Sequence, residues 1–479
     1  MLYFPALAAV CLQSDQSFEP RYELGQRVAA LERAFLAAPE DSPARARLAQ
    51  AAELAVERFF RFDYRGAAQA LDGAAVFSPE LPEQSSPGDQ LSGWVLTPSR
   101  RLYGSAQARL EVVAERWYGQ DLASAADGDS QWRLVSVGAG TVWSQVAAGG
   151  SPGLRFEREF GAEEYGDMAM DLRFEQVGDP ARGAVRRFWF SRVTDLEARL
   201  AALETGIADW PAPELVLELA SLRDNLALLR ELSEGPAGET DWPAARLLSE
   251  AEQQLAAARE GKPWFGPGQV GQFWLTLAGK GRGTRLRLLV PEPGGPENPQ
   301  PLVIALHGAG GSENMWFDAY GAGLIVELCR QRGWYLAAPR LGLLGGGDVG
   351  GLVDGLAARY PIDRQRVFVI GHSMGAARGL SLALAEPAKL RALALLGGGQ
   401  RVRQAQRLSS LPIFLAAGSR DFARSGVEAL HNALLEAKHP TLEFEITAGV
   451  EHLLVVPATL SRVFLWLDRF REVAPESKR

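Results

Sequence analysis

Between residue 265 and the C-terminus the chain alternates in a way that leaves few folds open. Apolar runs such as "GQFWLTLAG", "TRLRLLVP", "PLVIALHG", "WYLAAP", "RVFVIGHS", "LRALALLGG" and "PIFLAAGS" are separated by helix-like stretches near 320–332, 349–359, 374–386 and 423–437. Several runs are apolar almost throughout, as strands buried on both faces must be. Strands alternating with helices predict a mostly parallel sheet covered by helices on both faces, an α/β domain over 262–479.

The upstream half has a different rhythm, and 479 residues exceed one ordinary core. "YELGQRVAALERAFLAA" spaces Leu24, Val28, Leu31 and Phe35 by three or four residues, one face of a helix. Ser42-Pro43 opens a second helix as cap and first-turn residue, and a third follows, giving a helical region over 21–77. "SPELPEQSSPGDQ" is a linker by composition, within 78–94. From 95 to 193 short alternating segments rich in Val, Phe and Trp predict a β-sandwich or small barrel. Its aromatics read as the core of that unit rather than as a glycan-binding face. Residues 194–261 return to helical periodicity as a spacer, with Thr194 and Glu197 placed for a capping box. "EGKPWFGPGQVG" reads as a hinge into the last domain.

Composition removes several classes of function. The net charge of −8 argues against a nucleic-acid partner, which calls for a basic face. Two cysteines, Cys11 and Cys329, make neither a disulfide framework nor a metal motif, and no cofactor or metal is implied. No stretch is long and apolar enough to span a membrane. "MLYFPALAAVCLQS" is either a trimmed export signal or a first buried segment, so the chain is expected to be periplasmic or secreted in the first case and cytoplasmic in the second.

The chemistry concentrates in Gly371-His372-Ser373-Met374-Gly375, a match to G-x-S-x-G. The pattern alone is common. Here the strand "RVFVI" runs into it and the helical "AARGLSLALAE" runs out, the strand–turn–helix of a nucleophile elbow. A serine hydroxyl needs a base, and all five histidines lie at or beyond position 307. His452, in a late loop after "LEFEITAG", is the expected base. His431 and His439 read as surface helix residues, and His372 is too close in sequence to turn back onto Ser373. Asp421, in the loop after "PIFLAAGS", is the expected orienting acid, or else a cap of the next helix. Asp354 and Asp363 both precede the nucleophile. The chain order is then Ser373, Asp421, His452. Oxyanion donors are expected at the amides of Met374 and, in "HGAGG", Ala309, each worth on the order of 3 kcal/mol of barrier.

The segments "PLVIALHGAGGSENMW", "LAARYPIDRQRVFVIGHSMGA", "LPIFLAAGSRDF" and "GVEHLLVV" resemble the α/β-hydrolase fold over roughly 270–470. Within it they are most similar to feruloyl esterases, polyhydroxybutyrate depolymerase-like esterases and prolyl-oligopeptidase-like hydrolases. The resemblance implies Ser373 as nucleophile, Asp421 as acid, His452 as base, and Ala309 and Met374 as oxyanion donors. One departure is Ala309 itself, where polyester-cleaving members carry an aromatic. Trp316, Phe317 and Phe422 lie near the site loops, as substrate walls or as core. Only a short segment separates "LRALALLGG" from "PIFLAAGS", where many lipases insert a lid, so the N-terminal half is left to cover the site. These readings predict a serine hydrolase acting on small-molecule or carbohydrate-linked esters. A prolyl-oligopeptidase-like peptidase and a non-catalytic carbohydrate-binding or scaffold protein are the alternatives.

Overall fold

The computed structural model of the protein describes residues 20–75, 93–118, 132–137, 140–146, 153–177, 179–236, 238–279, 283–292, 298–342 and 349–472. The apolar N-terminus with Cys11 and the linker within 78–90 lie outside these residues.

Three helices come first: α1 (Pro20–Ala37), α2 (Pro43–Phe60) and α3 (Tyr64–Ala75). Ser42 caps α2 through its hydroxyl, which accepts from the Arg45 amide at 3.2 Å, and Pro43 fills the first turn. Eight strands follow: β1 (Trp94–Pro98), β2 (Leu102–Gly104), β3 (Arg109–Arg116), β4 (Trp132–Ser136), β5 (Val142–Val146), β6 (Leu154–Glu159), β7 (Gly166–Gln176) and β8 (Asp179–Val193). Hydrogen bonds join them into one sheet in the order β1-β3-β6-β5-β4-β7-β8-β2. Where the sequence predicts a sandwich or small barrel, the strands form a single sheet that curls on itself. Trp94 of β1 reaches Phe174 of β7 with ring centroids 4.7 Å apart, although four strands separate them in the order. Arg186 of β8 donates to the Trp94 carbonyl at 3.2 Å, nearly closing the curl. Trp94, Trp143, Phe156, Phe174, Phe188 and Phe190 are buried inside it, so these aromatics form the core.

Helices α4 (Leu196–Ala208), α5 (Val216–Glu234) and α6 (Ala244–Arg259) pack between the two sheets. Their leucines share one core with Leu102, Trp189 and Val193 of the curled sheet and Trp274 of the next. The capping box at Thr194 does not form. Asp195 occupies the cap with φ 51° and no side-chain cap bond, and Glu197 pairs with Arg230 at 2.8 Å instead. The expected hinge is anchored, because Trp264 and Phe265 are buried against Phe273.

The second sheet comprises β9 (Gly271–Leu277), β10 (Thr284–Val290), β11 (Gln300–Leu306), β12 (Tyr335–Pro339), β13 (Ile362–His372), β14 (Ala392–Leu396), β15 (Ile413–Gly418) and β16 (Leu442–Thr447). Its order is β9-β10-β12-β11-β13-β14-β15-β16. β10 runs antiparallel to both neighbours, and every pairing from β12 to β16 is parallel. The two-residue pleat sorts the side chains. Leu302, Ile304, Leu306, Val367 and Val369 face helices α8 (Val349–Ala357), α9 (Met374–Ala385) and α10 (Arg424–Glu436). Val303, Ala305, Phe368 and Ile370 face α7 (Leu324–Arg332) and α11 (Val455–Leu467). That second core continues without a break into Leu24, Leu31, Phe35, Leu48 and Leu71 of α1–α3. The N-terminal helices are thus built onto one side of the second sheet.

Candidate active site

Ser373, Asp421 and His452 follow the carboxyl ends of parallel strands, where an open α/β sheet leaves a crevice. β13 ends at His372, Ser373 forms the turn, and α9 begins at Met374. Ser373 has φ 55° and ψ −115°, a strained conformation for a residue with a side chain. The turn closes only because its neighbours are glycines. A Cβ at 371 would lie 2.5 Å from the Gly375 carbonyl oxygen, and one at 375 would lie 2.1 Å from that of Leu306. The helix N-terminus therefore approaches the strand ends directly, with its dipole aimed at the space above Ser373.

The loop after β15 carries Asp421 and the loop after β16 carries His452. The structure brings both to Ser373. The Ser373 hydroxyl lies 2.9 Å from His452 Nε2, and His452 Nδ1 lies 2.8 Å from Asp421 Oδ1. The carboxylate requires Nδ1 to carry the proton, which leaves Nε2 as acceptor for the serine. Burial opposes ionisation of Asp421, but the hydrogen bond and charge of His452 and the Ala423 amide hold its pKa below the usual value. Phe422 is 62% exposed and lays its ring over His452, centroids 4.1 Å apart.

Two histidines outside this line hold the loop 307–311 and were not legible as partners in the sequence. His307 accepts the Leu341 amide on Nε2 at 3.0 Å, so Nδ1 donates to the Gly308 carbonyl at 2.8 Å. The Gly308 amide donates to the Tyr320 hydroxyl at 3.3 Å, and that hydroxyl lies 2.6 Å from His372 Nδ1. His372 Nε2 lies 3.0 Å from the His452 carbonyl, which can only accept. Nε2 therefore donates and Tyr320 donates to Nδ1. Burial and the neighbouring His452 push the His372 pKa down to about 3, so the ring stays neutral and the relay keeps its direction. Gly308 is fixed through both its carbonyl and its amide. Among the described residues none accepts from the Ala309 amide. Ala309, half-buried, and Ser373 line one cavity.

That cavity encloses about 560 Å³. Its walls come from the loop 308–312, Met315, Phe317, Ser373 and His452, and from Leu24, Val28, Val56 and Phe59 of the N-terminal helices. Arg187 of the curled sheet and Glu239–Asp241 close another side. Trp316 is not a wall. It is fully buried, stacked edge-on to Tyr320 at 4.8 Å, because its turn of helix presents Phe317 to the cavity and Trp316 to the core. His439 is likewise no surface helix residue. It lies in the turn after α10, 9% exposed, with Nε2 bonded to the Leu408 carbonyl at 2.9 Å.

Two carboxyl groups are buried close enough to repel each other, Glu32 of α1 and Glu451, the neighbour of His452. Glu32 accepts from the Gly321 amide, and Glu451 accepts from the Leu454 amide at 2.6 Å. Burial raises the Glu451 pKa from 4.5 to about 7. An acid with a raised folded pKa contributes stability that is complete below its unfolded pKa and lost as pH rises through the folded one. Resistance to urea should therefore decline between pH 5 and 8, by on the order of 3 kcal/mol from this group. Glu32 adds to the same slope. Glu451→Gln keeps the acceptor for Leu454 and should flatten the decline. A slope unchanged in the variant would assign it elsewhere.

No protein-family model matches the chain, and no curated protein matches it in sequence. Solved structures do. A thermostable esterase aligns over 78% of this chain and 99% of its own, with 13% identity and a TM-score of 0.39. The fluorophosphonate-binding serine hydrolase F of Staphylococcus aureus aligns over 41% of this chain and 98% of its own, with 14% identity and a TM-score of 0.36. The feruloyl esterase module from Clostridium thermocellum, complexed with sinapinate, aligns over 42% and 89%, with 15% identity and a TM-score of 0.36.

Proposed function

We propose that the protein is a serine hydrolase that cleaves carboxylic esters through an acyl-enzyme on Ser373. The observation that carries this reading is the hydrogen-bond line Ser373–His452–Asp421, set at a strained elbow on the wall of a cavity with apolar and charged sides. The mostly parallel eight-stranded sheet, with Ser, Asp and His in that chain order, is further support for an α/β-hydrolase.

In the first half-reaction His452 Nε2 takes the Ser373 proton as Oγ attacks the ester carbonyl. Asp421 holds the imidazole in the productive tautomer and stabilises the imidazolium. The developing oxyanion is received by the amides of Ala309 and Met374. His452 then returns its proton to the departing alcohol. Water, deprotonated by the same histidine, attacks the acyl carbonyl, and His452 returns that proton to Ser373 Oγ as the ester bond to the enzyme breaks and the acid leaves. A peptidase of the prolyl-oligopeptidase type would need a site for the peptide amino terminus or for proline. The acidic groups lining the cavity are already engaged: Glu239 with Arg340, Asp241 with Tyr22 at 2.6 Å, Asp318 with Arg287 at 2.7 Å. Fluorophosphonate labelling followed by peptide mapping, beside matched panels of p-nitrophenyl esters and dipeptide amides, tests the reading. Modification at Ser373 with ester turnover is expected. Amide cleavage without ester preference would overturn it.

Tyr320 and His372 act as positioning residues, since they reach the site through Gly308 and His452. Tyr320→Phe should lower kcat about 10-fold while KM for a small ester stays within twofold, because the Gly308 amide loses its anchor and the donor beside it drifts. An equal rise in KM would point to a binding role.

A further inference from the structure

We infer that helices α1–α3 form the specificity pocket of the enzyme, and that its substrates are esters with an apolar alkyl or aryl half seated between these helices and Ser373. The inference rests on the esterase reading above.

The N-terminal helices are part of the site wall. Leu24, Val28, Val56 and Phe59 line the same cavity as Ser373 and His452. Phe59 packs directly on the loop that carries Ala309: a Cβ added at Gly310, where φ is 79°, would lie 2.6 Å from the Phe59 ring. Two further contacts hold the helices over the catalytic loops. Phe60 meets Phe422 edge-on at 5.7 Å, and Phe422 in turn covers His452. Glu53 of α2 pairs with Arg420, next to Asp421.

This wall sets the chemistry of what it receives. The stretch Leu24–Ala29 runs along the cavity for about 7 Å at 1.5 Å per residue, which suits an alkyl chain of roughly six carbons or one aromatic ring. Of that stretch Leu24, Val28 and Ala29 are apolar and Gln26 is polar, and Met315 and Phe317 add apolar surface to the same cavity. A volume of about 560 Å³ falls within the range of small-molecule sites and suits a discrete ester. Each methylene removed from water favours binding roughly fourfold, so the four methylenes that separate a six-carbon chain from acetate favour the longer ester by well over 10-fold.

Two substrate series test this in the full-length protein and separate the two halves of the ester. One lengthens the acyl chain, from p-nitrophenyl acetate to octanoate. The other lengthens the alcohol, from methyl to octyl acetate. The expected result is that kcat/KM rises at least 10-fold with chain length in one series, which identifies the half that enters the pocket. Val28→Asp and Phe59→Ala should each cut that long-to-short ratio at least 10-fold. A ratio measured on one preparation does not depend on the folded fraction. A flat chain-length profile, or ratios unchanged in both variants, overturns the pocket assignment while ester turnover and Ser373 labelling leave the esterase reading standing. No turnover of any ester, with no label on Ser373, overturns both.

Discussion

Ser373→Ala should lower kcat/KM for a p-nitrophenyl ester by a factor of about 10⁵ to 10⁶, leaving hydrolysis only 10³ to 10⁴ above the uncatalysed rate. In the proposed mechanism the serine supplies the bond-forming atom, and among the described residues no second hydroxyl is bonded to His452. What survives the change is the loop 307–311 proposed to receive the oxyanion, held by His307 and Tyr320, and the cavity. Those account for the residual rate. The fold should persist, because the turn is held by the backbone: the Ser373 amide donates to the Leu396 carbonyl at 3.0 Å, and Gly371 and Gly375 provide the close approach. Fluorophosphonate labelling should vanish in the same variant. A loss below about 10-fold, or a label that persists at another residue, would mean that Ser373 is an elbow without a nucleophile's task.

How much of this was legible in the sequence depends on the range over which each feature is determined. The elbow was legible because its requirements are local: apolar strand, small residues, helix. Asp421 and His452 were legible because each follows a strand by a few residues, and parallel strands all deliver their carboxyl ends to one edge. Ser42-Pro43 was legible for the same reason, as a cap is settled within four residues. Tyr320 and His372 as a relay were not. The relay joins positions 52 residues apart, and His372 turns away from the serine beside it toward the His452 carbonyl. The sequence leaves Trp316 open between wall and core because a single helical turn decides which of two adjacent aromatics faces the cavity, and periodicity has nothing to act on over four residues. Thr194 shows the same limit: the pattern fits, yet the chain enters α4 through Asp195 at φ 51° and leaves Glu197 to an ion pair with α5. Burial of His439 depends on Leu408, which the sequence does not mark as its neighbour.

Asp421→Asn provides the second large effect, a fall in kcat of about 10³ to 10⁴ with KM little changed, because Asp421 does not line the cavity. The carboxylate has two tasks, and asparagine fails at one or both. Oδ1 accepts from His452 Nδ1 at 2.8 Å and from the Ala423 amide at 2.8 Å, while Oδ2 is buried without a hydrogen-bond partner among the described residues. If the asparagine oxygen takes the Oδ1 position, both hydrogen bonds remain, but the amide NH2 is buried unpaired and the charge that stabilises the imidazolium is gone. If the side chain turns over, NH2 faces Nδ1 and forces the proton onto Nε2. That nitrogen can then no longer accept from Ser373. The two outcomes separate by proton NMR. A downfield Nδ1–H resonance present in the wild type and absent in the variant signals the turned-over side chain. A resonance retained at higher field signals lost charge alone. Either accompanies the expected loss of kcat. A variant that keeps more than a tenth of the wild-type kcat would show that His452 needs no carboxylate, and would remove Asp421 from the mechanism.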